Sequence, residues 1–377
     1  MISDQAGNAS GEPEGPEALP HSLASWGWTE EWAAQFAPLA AEGRFPARVI
    51  AQHRGRWTLA GEQDEWSAAL TGRLRHEARE GELPAVGDWV ACVVPHGGGP
   101  GRIDAVLARR SAFVRRAAGS NSLAQTVAAN VDTLFIASSL NADLNPRRLE
   151  RYVAMARESG AKPVLLLTKD DLVEDGAATV ERLAGELRIP VVALSSHTGA
   201  GVEDIRGWLV PGETIALVGS SGVGKSSLLN HLAGEALMLT RDIRQDDGRG
   251  RHTTTHRELF RLPGGSLMLD TPGVRELGLW DADQGLADTF AEILDLAEGC
   301  RYRDCHHEGE PGCAVQAAIR AGRLDESRLD SYRRLGQELA GQPTDAERRE
   351  AARQATRAAE VVAHARARRR DNGWRER

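Results

Sequence analysis

The sequence predicts a multidomain chain: a small N-terminal β-barrel, a central α/β domain with a mainly parallel sheet, and a short, mostly α-helical C-terminal domain built around a metal. Three observations predict it. Between Arg44 and Gly119, short runs rich in Val, Ile, Leu and Trp are punctuated by Gly and Pro, with no long helical pattern among them; this is how a small barrel or sandwich reads. From Asn130 to Leu279, continuous apolar runs alternate with helical patterns, which implies a parallel sheet covered on both faces. Between Cys300 and Cys313, three of the four cysteines crowd one stretch with histidines among them, a spacing suited to a metal rather than to disulfides.

Residues 1–20 are rich in Gly, Pro and Glu and are expected to form a disordered tail. Residues 21–43 read as a helical extension. Trp28, Trp32, Phe36 and Leu39 recur at helical spacing and Gly43 supplies a stop, so one aromatic face is expected to pack on the domain behind it. The barrel, residues 44–119, is drawn from ARVIAQHRGRWTLAG, WSAALTGRLR, GDWVACVV and RIDAVLARRSAFVRR. About five strands in roughly seventy residues suit an OB-type barrel, a kind that commonly binds oligonucleotides. Cys92, alone in a strand-like run, is read as a small buried hydrophobe.

In the central domain, residues 120–280, the strands are read from VDTLFIASSL, PVLLLTK, IPVVALSS, ETIALVGSS and SLMLDTPG. One helix between them is well marked. Asn145 is its N-cap, Pro146 its first residue and Gly160 lies just past its end. Leu149, Tyr152, Val153 and Ala156 fall on one face of it.

No apolar run approaches the roughly 18–20 residues that span a bilayer, and the N-terminus lacks the basic flank and apolar stretch of a secretory signal. A cytoplasmic address and a monomer are expected. The net charge of −8 excludes a protein that is basic all over but not a local basic face. Residues 343–377 form such a face, an Arg-rich helix or tail expected to meet RNA phosphates.

The most specific motif is GSSGVGKS, Gly219–Ser226, directly after the strand ETIALV and before the helix that Ser227 enters. It is a P-loop. The backbone of Gly219, Ser220, Ser221, Gly222, Val223 and Gly224 can curl around phosphate oxygens, helped by the field of the following helix N-terminus. Lys225 offers a point charge to the β- and γ-phosphates and Ser226 a hydroxyl to Mg²⁺. DTPG closes the next apolar strand. Asp270 is placed to hold magnesium through water, and the Gly273 N–H to sense a γ-phosphate. Between them lies GRGRHTTTH, Gly248–His256, the position of a first switch loop. Thr254, chosen from Thr253, Thr254 and Thr255, would bind Mg²⁺ and the γ-phosphate. Val274 follows DTPG, where a glutamine would orient the attacking water, so slow intrinsic hydrolysis is expected. His252 is the available substitute.

TKDD, Thr168–Asp171, closes an earlier strand and looks like the [N/T]KxD signature of GTPases. With Asp170 as the variable residue, Asp171 accepts hydrogen bonds from guanine N1–H and N2–H₂ that adenine does not offer, a mismatch that discriminates strongly. Lys169 covers the ring with its aliphatic stem. SSHTG closes the next strand, and Ser195 and Ser196 open the loop whose backbone reads guanine O6. These base motifs precede the phosphate motifs, the reverse of ordinary small GTPases. The sequence therefore predicts a circularly permuted G-domain whose ligand still sits at the carboxyl ends of the strands. The segment after DTPG then leads straight into the C-terminal domain, residues 281–342, and is expected to move it with nucleotide state.

Cys300-RYRD-Cys305-His-His307-EGEPG-Cys313 offers three thiolates and an imidazole, a closed tetrahedral set for one structural Zn²⁺. Spacing alone leaves His306 and His307 as alternatives.

Together these motifs resemble the ribosome small-subunit-dependent GTPase family, from about Arg44 to Leu329. GDWV at Gly87, VLARRSAFVRR, AANVDTLFI, LNPRRLERY, TKDD, GSSGVGKSSLLN, GRHTTTH, DTPGVRELGL and the Cys-x4-Cys-x-His-x5-Cys cluster carry the resemblance. It implies an OB-fold, a permuted GTPase and a zinc domain in that order. It also implies GTP hydrolysis stimulated by the small (30S) subunit, a role late in that subunit's maturation, and contact with its 16S-type rRNA. It selects His307, with Cys300, Cys305 and Cys313, as the zinc ligands. Thr168 stands where many members have Asn, a departure expected to loosen guanine binding slightly.

Overall fold

In the computed structural model of the chain, the described residues are 22–340 apart from 54, 80, 95–98, 100, 117–123, 142–143, 175, 221, 234–256 and 271–282. The expectations for the N-terminal tail, the Arg-rich segment, Ser221, His252, Thr253, Thr254, Thr255, Gly273 and Val274 lie outside them.

The extension opens with a 3₁₀ turn, Leu23–Trp26, capped by Ser22, and continues as α1 (Glu30–Ala41). Trp32 and Phe36 are buried. Trp28 stands edge-on to Trp89 of the barrel at 4.7 Å, and Trp32 lies 6.3 Å from the same ring. The aromatic face is thus a packed one. The barrel has strands β1 (Phe45–His53), β2 (Arg56–Ala60), β3 (Glu65–Ala68), β4 (Trp89–Val93) and β5 (Arg102–Val106). β1 pairs with β2 and β4, β2 with β3, and β4 with β5, all antiparallel, and a parallel bridge between Leu70 and Ile103 joins the two ends. Ala47, Val49, Leu59, Val90, Cys92 and Ile103 fill the interior. Burial pushes the Cys92 thiol up to about 12, as befits an inert hydrophobe.

One strand-like run divides. In WSAALTGRLR only the start is strand; Gly72–Glu77 is a short helix, α2. The cause is Thr71, whose Oγ1 accepts from Leu74 N at 3.2 Å and so starts a helical turn. VLARRSAFVRR divides as well, since β5 ends at Val106 while β6 (Ala112–Arg116) forms a separate hairpin with β7 (Ala124–Ala129). Between them Arg109 makes a two-pronged pair with buried Asp88 of GDWV, at 2.8 Å on each prong.

The α/β domain follows as β8 (Thr133–Ser139), α3 (Pro146–Ser159), β9 (Lys162–Thr168), α4 (Gly176–Leu187), β10 (Val191–Leu194), β11 (Thr214–Gly219), α5 (residues 225–233), β12 (Arg257–Arg261) and β13 (Leu267–Asp270). The sheet order is β10–β9–β8–β11–β13–β12, parallel except for β12. Counted from β11 as the first strand, that order is 6-5-4-1-3-2, so the chain enters its sheet at the fourth strand. β12 also pairs with β1, Ala51 opposite Glu258, so barrel and α/β domain share one continuous sheet. α3 has the expected ends: Asn145 Oδ1 accepts from Arg148 N at 3.3 Å, and Gly160 closes it at φ 85°. Leu149, Tyr152, Val153 and Ala156 are buried, each large side chain contributing about 1.5–3 kcal/mol.

The C-terminal unit is helical among the described residues: α6 (Asp283–Thr289), α7 (Ala291–Ala297), α8 (Ala314–Arg320) and α9 (Glu326–Ala340). It sits on α3. A Cβ at Gly285 would lie 2.2 Å from Ala154 O, so only glycine permits the α6–α3 approach. Buried Arg328 donates to Glu150 at 2.8 Å, to Glu292 at 2.7 Å and to Thr289 O at 2.6 Å, tying the two domains. Arg328→Met is therefore expected to destabilise the protein by about 3–5 kcal/mol, because buried Glu150 and half-buried Glu292 lose their cation; urea unfolding measures it.

Candidate nucleotide site and metal centre

The carboxyl ends of β9, β10, β11 and β13 lie along one edge of the sheet. Thr168 is level with Ser139 on β8 and Leu194 on β10, and Gly219 is level with Ala137. From that edge the chain turns sharply after β11. Gly219 has φ 143°, and a Cβ there would lie 2.2 Å from Ala137 O, so the turn against β8 requires glycine. Gly222 and Gly224 also have positive φ, Val223 is buried, and α5 begins at residue 225. The Lys225 ammonium donates to Gly219 O at 2.7 Å and to Ser220 O, inside the curl of its own loop. Ser226 and Ser227 are exposed at the start of α5. This is a concave set of backbone groups and one cation at a helix start, an arrangement that receives phosphate. Asp270, partly buried, ends β13 beside it.

The base-side loops are tied to the phosphate loop. Thr168 is fully buried, and its Oγ1 donates to Val223 O at 2.6 Å. A Cβ at Gly224 would lie 2.6 Å from Ser196 Oγ, so this loop and the P-loop touch. Lys169 takes a left-handed conformation, φ 62°, which turns the chain into a 3₁₀ turn, Asp170–Leu172, where Asp171 is exposed. In the next loop, buried Ser195 accepts from Thr198 N at 3.1 Å and His197 N at 3.3 Å. Thr168→Val keeps the volume and removes the donor, leaving the Val223 carbonyl buried and unpaired. A cost of about 1–3 kcal/mol in nucleotide affinity is expected, read by titration with a fluorescent GDP.

One participant escaped the sequence reading. His231 on α5 reaches Ser196 O at 2.7 Å, and no motif marked it. Thr168 was legible as part of a base signature, yet its hydroxyl serves the phosphate loop. The order strand–P-loop–helix was the available hint, since it places Val223 against the neighbouring strand ends.

The metal-type cluster is compact: one donor atom from each of Cys300, Cys305, His307 and Cys313 falls within 4.8 Å of the others. Cys300 and Cys313 sulfurs are 3.9 Å apart, and His307 Nδ1 is 3.6 Å and 3.5 Å from them. A tetrahedral Zn²⁺ requires edges of about 3.8 Å between sulfurs and about 3.6 Å between sulfur and nitrogen. The residues fit. Of the two histidines, His307 is buried and its ring lies within the cluster, while His306 is exposed. Burial first, and then nearby Arg333, lower the His307 pKa and keep its imidazole neutral, the form that binds metal. The Glu310 carboxylate accepts from the backbone of His306 and Glu308 at 2.8 Å and Gly309 at 3.1 Å, which shapes the loop between the last two ligands.

Comparison with known proteins agrees with this architecture. The RsgA GTPase family profile matches residues 106–280. The small ribosomal subunit biogenesis GTPase RsgA of Opitutus terrae is 48% identical over 332 residues, covering 85% of this chain and 90% of that protein. The protein of the same name from Streptomyces coelicolor is 46% identical over 322 residues, covering 84% and 86%. Among solved structures, YjeQ from Thermotoga maritima matches with TM-score 0.58 and 26% identity, covering 80% of this chain and all of that one (100%). YloQ, described as a circularly permuted GTPase, matches with TM-score 0.57 and 25% identity over 80% of this chain and 97% of its own. With a permuted strand order and relatives of this identity along most of its length, the chain belongs to the RsgA GTPase family.

Proposed function

We propose that this protein hydrolyses GTP to GDP and phosphate in a manner stimulated by the small ribosomal subunit, acting late in that subunit's maturation. One observation carries the nucleotide part. The Thr168–Val223 hydrogen bond of 2.6 Å fixes a guanine signature against a P-loop on one sheet edge. Residues 219–227 cradle the phosphates, with Lys225 on the β- and γ-oxygens. Ser226, Thr254 and Asp270 hold Mg²⁺, which neutralises charge on the phosphates. Asp171 reads guanine, Lys169 covers it, and Ser195 and Ser196 present backbone to O6. Gly273 senses the γ-phosphate, and His252 orients the attacking water when the partner is bound.

The closed five-stranded barrel supports an OB-fold reading, and with the Arg-rich C-terminal segment it supplies contacts to rRNA. The Cys₃His cluster holds a structural zinc in a mostly α domain. No described helix is long and apolar enough to cross a membrane, and a monomer working in the cytoplasm fits the role. The test is turnover of GTP against ATP, with sedimentation of the protein on fractionated subunits; ATP turned over as fast as GTP ends the reading. His252→Ala should lower subunit-stimulated turnover by about 10²-fold or more and change unstimulated turnover little. Full stimulation of that variant removes His252 from the mechanism.

A further inference from the structure

We infer that His231, on the helix after the phosphate loop, is a positioning residue for guanine recognition that acts through the backbone of Ser196. The inference rests on the GTP reading above and deepens it. His231 Nε2 lies 2.7 Å from Ser196 O. A carbonyl only accepts, so Nε2 carries the proton and donates. The other bonds of this loop are internal: Ser195 N donates to Ala200 O and Gly199 N to Ser195 O, each at 2.9 Å, and Ser195 Oγ takes the N–H of His197 and Thr198. The peptide between Ser196 and His197 is therefore held at both ends, its C=O by His231 and its N–H by Ser195.

A peptide plane fixed in this way fixes the backbone on either side of it, including the Ser196 N–H offered to guanine O6. The imidazole also packs over this loop, its Cε1 within van der Waals range (3.7 Å) of where a Cβ at Gly199 would stand. On the other flank, Gly224 of the P-loop sits against Ser196 Oγ. His231 belongs to the helix that begins at Lys225, so it fastens the base loop to the element that grips the phosphates. The base loop is then registered against the part that grips the phosphates. An interaction of this kind affects how well O6 is met and leaves the phosphate cradle alone.

The experiment titrates GDP, ADP and inorganic tripolyphosphate against the wild type, His231→Ala, His231→Phe and His231→Gln, and measures KM and kcat for GTP. Loss of one hydrogen bond predicts GDP binding about five- to tenfold weaker in the alanine variant, with a raised KM, unchanged kcat at saturation and a narrower preference for GDP over ADP. Tripolyphosphate binding stays as in the wild type. His231→Phe keeps the ring without the donor, so it is expected to weaken GDP binding as alanine does and carries the test if alanine fails to fold; His231→Gln, whose amide N–H reaches a similar point, restores most of the loss. GDP affinity unchanged in both donor-less variants overturns the inference, as does equal weakening of GDP and tripolyphosphate. A wild type without preference for GDP over ADP overturns instead the guanine reading beneath it.

Discussion

Replacing Lys225 by alanine is expected to lower GTP turnover by about 10³-fold, the scale seen when one preorganised group facing developing charge is removed. The argument is local. The Lys225 ammonium is held by the carbonyls of Gly219 and Ser220, so it already stands inside the loop that the phosphates enter. No other lysine or arginine contributes to the described part of that loop's sequence, so its loss leaves the magnesium alone to offset charge on the β- and γ-oxygens. Stability should change little, because the side chain is only part-buried. Lys225→Arg should not rescue turnover, since a planar fork does not fit a site built around a point charge. Steady-state hydrolysis with a parallel thermal melt reads both effects, and turnover within tenfold of wild type would remove Lys225 from its role.

The second large effect is on folding. Cys313→Ser, or a strong chelator, should release one equivalent of zinc and unfold the region from Cys300 to α8. Structural zinc supplies on the order of 10 kcal/mol in small modules of this kind, more than the few hydrogen bonds and the buried Val315 and Ala318 that also hold this stretch. Cys313 caps α8, its sulfur accepting from Gln316 N at 3.4 Å, and Cys300 accepts from Ala314 N at the same distance. The ligands and the helix start are thus one structure. Metal analysis with amide exchange over residues 300–320 measures the outcome. Unstimulated GTP turnover should persist, because the sheet edge that carries the nucleotide motifs is a separate unit. Exchange protection of α8 that survives metal removal would contradict the account.

The sequence made the α/β domain legible because its strands are buried on both faces and so read as unbroken apolar runs; β8 is buried at every position. α3 was legible from its ends, since Asn145, Pro146 and Gly160 each act through local backbone geometry. β12 was not. Its sequence, RELFR, is mostly charged and only Leu259 is fully buried; it is strand because β13 and β1 pair with its backbone on either side. α2 was hidden inside an apolar run, where one threonine side chain outweighed β-type composition. In the site, residue types and their order disclosed the chemistry, while the ties between loops did not show. Thr168 looked like a slightly weakened base residue, and its hydroxyl proves to be bonded 55 positions along the chain at Val223. His231 looked like an ordinary helix residue. Arg328, with partners on α3 and α7, is a similar case: such contacts are tertiary, and no local spacing encodes them.

The central claim is that the nucleotide site is a GTPase answering to one partner, and hydrolysis by the purified protein alone, with small subunits and with large subunits, tests it most directly. The account predicts slow turnover alone, strong stimulation by small subunits and none by large ones. Turnover that no subunit alters, or that large subunits stimulate equally, would contradict it.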